Sequence, residues 1–425
     1  MERKAFPITS GGLFYWNNKN TQHTPGLSFT LYFWPMNVIL FDDPVIRQDL
    51  LPFTYTRPVS KIRVGILTIA EKWEKWLGHK PSFKTEDYLQ KKFTLVTTAD
   101  NTLINGAICP DQKLVDFIKT LPPGYFLVKG SLLIAARQPQ GDMNDGNTIT
   151  YPHDLTVIDK TWKIYNQNGS QLRIDFALIT AGRVSAKIED RHTVVYGQQN
   201  IFLEEGVTLR AAILNAENGP IYLGKNTTVQ EGAMIRGAFA LCEGGHVNMG
   251  AKLRGDVTVG PFSKVGGEVS ASVIFGYSNK AHDGFLGCSV IGEWCNLGAD
   301  SNTSNLKNNY DFVKLWSHAE KGYVNTGLQF CGLMMGDHSK CSINTMFNTG
   351  TVVDVSSNVF GEGFPKNYIP SFTWGGFEGA ETYKFDKAME TVTRVLERRN
   401  IPLDTIELDI LKHVFATTAT LREKP

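Results

Sequence analysis

The chain has 425 residues, more than one domain of about 100–150 residues. Lysine plus arginine number 43 against 42 aspartate plus glutamate, so the formal net charge is +1, with no basic footprint for nucleic acid or an anionic membrane surface. A content of 42% hydrophobic and 20% charged residues excludes a disordered chain.

Residues 1–35 show no clear apolar period. Met36 directly precedes a plausible first strand, so Met36 is the expected natural start and 1–35 an expected poorly ordered leader; a genuine amino-terminal extension is the alternative. The most apolar stretch, 27–41, is broken by Pro35 and falls short of the roughly 18 residues of a membrane span. The cysteines at 109, 242, 288, 295, 331 and 341 form no Cys-x-x-Cys pair, which argues against a zinc ribbon and fits a reducing, cytoplasmic setting.

The first folded region is expected over 36–190. Val38 to Phe41 reads as a buried strand, and Thr68 to Leu77 has helical spacing with Ile69, Trp73, Trp76 and Leu77 near one face. Phe93 to Val96 and Leu103-Ile104 read as strands, Asp111 to Thr120 as a helix capped by Asp111, and Tyr125 to Val128 and Leu132 to Ala136 as two more strands. Strands alternating with helices predict an α/β layer fold.

The second region, 191–375, carries the strongest pattern. Every sixth residue from Leu223 is apolar: Leu223, Val229, Ile235, Leu241, Val247, Leu253, Val259 and Val265. Chance gives such a run about once in a thousand. The period is also read at Ile201, Val207 and Ile213, at Phe285, Ile291 and Leu297, and from Met335 through Cys341, Phe347, Val353 and Val359. Period six predicts a left-handed parallel β-helix of hexapeptide repeats, three hexads to a triangular coil. About seven coils would stack to roughly 30 Å at the usual strand spacing. Residues 299–334 break the period and predict a loop leaving the prism, with His318 in reach of a neighbouring subunit. His246 and His338 fall on rungs or corners. The tail, 376–425, predicts a helical hairpin broken at Ile401-Pro402, with Asp404 as an N-cap, closing the open end of the prism.

Chemistry concentrates in Lys280-Ala281-His282-Asp283-Gly284-Phe285-Leu286-Gly287, then Ile291-Gly292-Glu293-Trp294-Cys295-Asn296-Leu297-Gly298-Ala299, then Thr303-Ser304-Asn305. These segments resemble the bifunctional N-acetylglucosamine-1-phosphate uridyltransferase/glucosamine-1-phosphate acetyltransferase family. They are closest to a variant sugar nucleotidyltransferase branch of Bacteroidetes. The specific part is 278–307, and a weaker resemblance extends over 37–375. It implies a nucleotidyltransferase-like α/β domain followed by an acyltransferase-like β-helix. His282 falls on the family's catalytic histidine and Asn305 on its substrate-binding asparagine. Lys280 and Lys307 are implied as partners of a sugar phosphate.

The chemistry suits these residue types. An imidazole titrating near about 6.5 is a natural base for an amine attacking a thioester. An asparagine orients a hydroxyl or amine without moving a proton. A structural histidine on a rung is the alternative for His282. The family's tyrosine is Phe285 here, and its phosphate-holding lysine is Ser270, beside Glu268. In the first region the family's Gly-rich loop is replaced by Asp42-Asp43-Pro44. Arg47, Arg57, Lys61 and Arg63 remain as candidate phosphate holders, with a basic solvated edge as the alternative. Asn105 lies where the family has its metal strand, and Asp42 is the candidate Mg²⁺ ligand. The resemblance thus implies acetyl-coenzyme A, a sugar phosphate and a nucleoside triphosphate as substrates, and a homotrimer as the assembly. A degenerate sugar-nucleotide-binding or scaffold protein is the competing expectation.

Overall fold

Val38, Ile39 and Leu40 are all buried, as a strand covered on both faces requires. The structure, a computed structural model, describes residues 37–139 and 147–422; the expected leader lies outside them. The strand Asn37–Phe41 pairs in parallel with Ser82–Lys84 on one side and Asp100–Asn105 on the other. Leu132–Pro139 and Tyr125–Lys129 continue the sheet in antiparallel fashion, and Asn147–Thr150 completes its six strands. Helix Ile69–Leu77 starts with a capping box between Thr68 and Glu71 and buries Trp73. Helix Gln112–Lys119 is capped by Asp111, as expected. The expected strand at 93–96 does not form. Ser82–Lys84 takes the sheet edge instead; 93–96 runs beside it through single bonds, the Phe83 amide donating to the Thr94 carbonyl at 3.1 Å and Ser82 Oγ to the Val96 carbonyl at 3.2 Å, with Leu95 and Val96 exposed.

From Val194 to Trp374 the chain winds into a parallel β-solenoid. Its first face is a nine-stranded sheet from Ile201–Leu203 to Tyr368–Ile369. Its second, ten-stranded, begins at Thr208–Leu209, and its third, six-stranded, runs from Val194–Tyr196 to Phe285–Gly287. The prism is therefore taller than seven coils; nine rungs at the usual spacing give roughly 40 Å. The eight residues read from Leu223 to Val265 all lie in its core. Two expected inward positions face out instead: Ile213 and Phe285 yield to Leu214 and Leu286.

The first face is apolar on both sides, as in Phe239-Ala240-Leu241, because the amino-terminal region covers it. Leu172 and Phe176 of helix Asn168–Thr180 and Ile66 pack on Ala238, Ala240 and Cys242. Thr258 donates to the carbonyl of Gly65 at 3.0 Å, and the rings of Phe53 and Phe275 lie 5.6 Å apart. The described residues accordingly belong to one compact unit.

One corner of the prism carries a column of side chains in the left-handed backbone region. Phe262, Tyr277, Trp294, His338, Ser356 and Phe372 have φ between 56° and 61°. That region costs a non-glycine residue roughly 1–2 kcal/mol. Ring stacking offsets part of it: Tyr277 lies 5.2 Å from Phe262 and 4.2 Å from Trp294, in nearly parallel planes. Helices Phe385–Glu397 and Thr405–Thr417 pack along this corner through Ala388, Val392, Leu411 and Val414. They flank the column instead of closing the end of the prism, and Arg399 reaches back to the carbonyl of Phe262 at 2.9 Å. The end is met by Glu381–Thr382, which turns back antiparallel on Thr373–Trp374. Between the coils, Lys314–Ser317 and Gly322–Asn325 form a hairpin that leaves the prism, as expected of this stretch. Among the described residues no helix is long and apolar enough to cross a membrane.

Candidate functional site

The carboxyl ends of parallel strands are the usual ligand crevice of an open α/β sheet. Here a cavity of about 420 Å³ lies there, lined by Phe41, Asp42, Lys84 and Thr85. Asp42, however, is already committed. Its Oδ1 accepts from the Val59 amide at 2.8 Å, and its Oδ2 accepts from Thr85 Oγ1 at 2.6 Å and Arg47 Nη1 at 3.0 Å. Burial pushes its pKa up, against the pull of Arg47. It does not suit a Mg²⁺ ligand, and among the described residues no group of three or more His, Cys, Asp or Glu is placed to hold a metal.

The other amino-terminal candidates are also internal. Arg47 donates to the carbonyls of Thr54 and Arg57 and to Tyr88 Oη at 2.9 Å. Arg57 is bound to Asp337, with Glu293 at 3.2 Å, and lies over the Phe275 ring. Arg63 donates to the Ile66 carbonyl and faces Glu71. Asn105 is fully buried, donating to the Leu133 carbonyl and accepting from the Ala107 amide. Lys61 lies over the Phe83 ring, and burial lowers its pKa. These cations join segments of the fold and do not converge on a phosphate site.

On the solenoid the picture differs. His282 sits in the turn between Asn279–Lys280 on the second face and Phe285–Gly287 on the third. It is exposed, and its ring has no hydrogen-bond partner among the described residues. Lys280 does not reach a substrate. It occupies an inward rung, directly paired with Val265, and is 1% exposed. Its Nζ donates to the carbonyls of Gly266, His282 and Asp283. Burial lowers its pKa to about 8. Lys280 thus holds the turn of His282 from inside.

Asn305 is half-buried and donates to Cys288 Sγ at 3.5 Å. A Cβ at Gly287 would stand 2.6 Å from both Asn305 Nδ2 and the Phe285 ring, so these two side chains converge on the bare glycine. Cys288 in turn lines a cavity of about 560 Å³ between Tyr165 and Phe330 of the excursion. Lys307 turns away, its Nζ donating to the Phe312 carbonyl at 3.0 Å. Glu268, paired across the third face with Phe285, accepts from Arg254. Arg254 lies on the strand adjacent to that of Ser270 and was not a sequence candidate. Its signal was there: Lys252-Leu253-Arg254 brackets an inward leucine, so both cations must face out. His318 does not reach out toward a second subunit; it is buried against Asp354 and Tyr55.

A family model described as sugar nucleotidyl transferase matches residues 38–184. The amino-terminal region is thus similar to sugar nucleotidyl transferases as a class. Among solved structures, the chain is similar to a UDP-N-acetylglucosamine acyltransferase from Campylobacter jejuni, at 15% identity over 54% of this chain and 84% of that one, with a TM-score of 0.22. An Arabidopsis UDP-N-acetylglucosamine acyltransferase aligns at 13% identity over 50% and 77%, also with a TM-score of 0.22. None of the curated proteins matches the chain.

Proposed function

We propose that the protein is a sugar-modifying transferase whose chemistry lies on the solenoid, with acetyl-coenzyme A as donor and an amino-sugar phosphate as acceptor. The observation that carries this reading is the contrast between the two regions. Arg47 and Arg57 are consumed by buried contacts, whereas the His282 ring is exposed and has no hydrogen-bond partner among the described residues. The imidazole takes the amine proton as the nitrogen attacks the thioester carbonyl. The new C–N bond forms, the C–S bond breaks, and coenzyme A leaves as a thiolate that collects the proton. Asn305 orients the acceptor beside Phe285. Arg254 supplies the positive charge that Ser270 does not.

In this reading a neighbouring copy of the chain walls the acceptor site. Val194, Ile213 and Met234 stand in register along the third face, 45%, 38% and 46% exposed. A homotrimer that buries this row supports the reading, and light scattering that returns a monomer at micromolar concentration would remove it. The activity test is coenzyme A release from acetyl-coenzyme A with glucosamine 1-phosphate. His282→Ala is expected to lose about 10²–10⁴ in rate with an unchanged fold. No release from any amino-sugar phosphate with wild-type protein would sink acetyl transfer.

A second reading, nucleotidyl transfer from a nucleoside triphosphate to a sugar 1-phosphate, is favoured by the family match over 38–184 and by the crevice beside Lys84. Pyrophosphate release with a nucleoside triphosphate and a sugar 1-phosphate tests it. Failure of both assays leaves a sugar-nucleotide-binding or scaffold role.

A further inference from the structure

A cavity of about 1160 Å³ lies between the hairpin that leaves the prism, the last coils and Thr420 to Arg422. Lys307, Lys314, Lys321 and Lys366 line it, and among the described residues Glu381 is the only carboxylate in its lining. In a chain of net charge +1 this is a local excess that composition does not produce. Lys314, Lys321 and Lys366 are exposed and make no side-chain hydrogen bond or ion pair among the described residues. Like charges gathered around a concavity repel one another and raise the local concentration of anions.

The same wall carries a rigid aromatic platform. Trp316 stacks on Tyr368 at 4.2 Å with planes 10° apart, and Tyr323 meets it edge-on at 5.6 Å. Tyr368 is pinned from behind. Its Oη donates to Asp354 at 3.0 Å, and the fully buried Asp354 also accepts from His318 Nε2 at 3.0 Å. His318 Nδ1 then faces Tyr55 Oη at 3.4 Å. The platform is thus tied through the solenoid to the amino-terminal region before any ligand arrives, which lowers the ordering cost of binding.

We propose that this cavity is a binding site for a nucleoside phosphate, with the phosphates among the lysines and the base against the Trp316–Tyr368 stack. Several lysines suit a multiply charged phosphate chain better than a single carboxylate, and a stacked aromatic wall suits a planar ring. The volume fits one ligand of that size, not a polymer. The inference is independent of the chemistry assigned to His282. The same chemical unit occurs in free nucleotides, nucleotide sugars and coenzyme A.

Calorimetry and Trp fluorescence with ADP, UDP-N-acetylglucosamine and coenzyme A distinguish these sources, with adenosine and inorganic pyrophosphate as the separated halves. At least one of the three should saturate, with adenosine and pyrophosphate each roughly tenfold weaker or more. Lys314→Ala with Lys366→Ala should weaken that ligand at least tenfold at an unchanged melting temperature, and added salt should weaken it further. Trp316→Leu should weaken the nucleotide but not pyrophosphate. Absence of saturable binding by all three at millimolar concentration, or binding indifferent to the lysine pair, overturns the proposal.

Discussion

The guanidinium of Arg57 rests on the carboxylate of Asp337, its partner across 280 residues of sequence. Asp337 also accepts from Thr56 Oγ1 at 2.6 Å and from the Glu293 amide at 2.8 Å. Both partners are almost fully buried, so the pair fastens the amino-terminal region to the late coils. Removing Asp337 leaves the buried guanidinium only the more exposed Glu293 carboxylate, 3.2 Å away. Asp337→Ala should therefore cost about 3–5 kcal/mol in a urea titration. A loss below about 1 kcal/mol would mean that water reaches the guanidinium.

Lys280 gives stability a pH signature. Burial lowers its pKa from the ordinary 10.5 to about 8. Below pH 8 the group is charged in both folded and unfolded chains, and the fold bears the full desolvation cost. Between about 8 and 10.5 the unfolded chain binds more protons, so this contribution to stability rises with pH. Wild type minus Lys280→Met should therefore shift in favour of wild type across that window, by an amount on the order of 3 kcal/mol. A flat difference would show that the ammonium is not desolvated.

Arg254 lies on the strand paired with that of Ser270, the position at which the resembled family carries a lysine. If it holds the acceptor phosphate, Arg254→Ala should raise KM for an amino-sugar phosphate roughly tenfold, leaving kcat near wild type. Activity on the unphosphorylated amino sugar should not move. An equal loss on both acceptors would assign Arg254 to positioning Glu268 instead.

Trp294 is the middle of the corner column, stacked on Tyr277 and packed against the carboxyl-terminal helices. Trp294→Ala should cost about 2–4 kcal/mol, since it removes stacking and packing while keeping the strained backbone. Trp294→Gly should cost less, because glycine adopts the positive φ freely. A glycine variant less stable than the alanine variant would show that φ carries no strain.

The solenoid was legible because its inward residues repeat wherever corners have constant length. The register slips after Val265, where the inward positions become Val269, Ile274, Lys280 and Leu286. Corners lie outside the sheets, so they gain or lose a residue without breaking a ladder, and a fixed count of six then misreads Phe285 as inward and Lys280 as outward. The arginines of the amino-terminal region were misread for another reason. The partners of Arg57, Asp337 and Glu293, lie more than 200 residues away, and no local pattern distinguishes such a buried clamp from a phosphate holder. Helix caps at Asp111 and Asp404 were legible because capping is a three-residue event. The aromatic column was not, because corner residues share no composition until the coils are stacked.

The antiparallel return of Glu381–Thr382 sets the direction in which this molecule can grow. A parallel stack is open-ended, since its last rung is a template for any further strand, including one from another copy. Reversing the chain on Thr373–Trp374 replaces that template with a strand of opposite polarity on one of the three faces. On that face the end of the prism therefore offers an antiparallel edge in place of a parallel template. Thr382→Pro, which disrupts this return while keeping the carboxyl-terminal helices, should expose the last rung and give light scattering that grows with time.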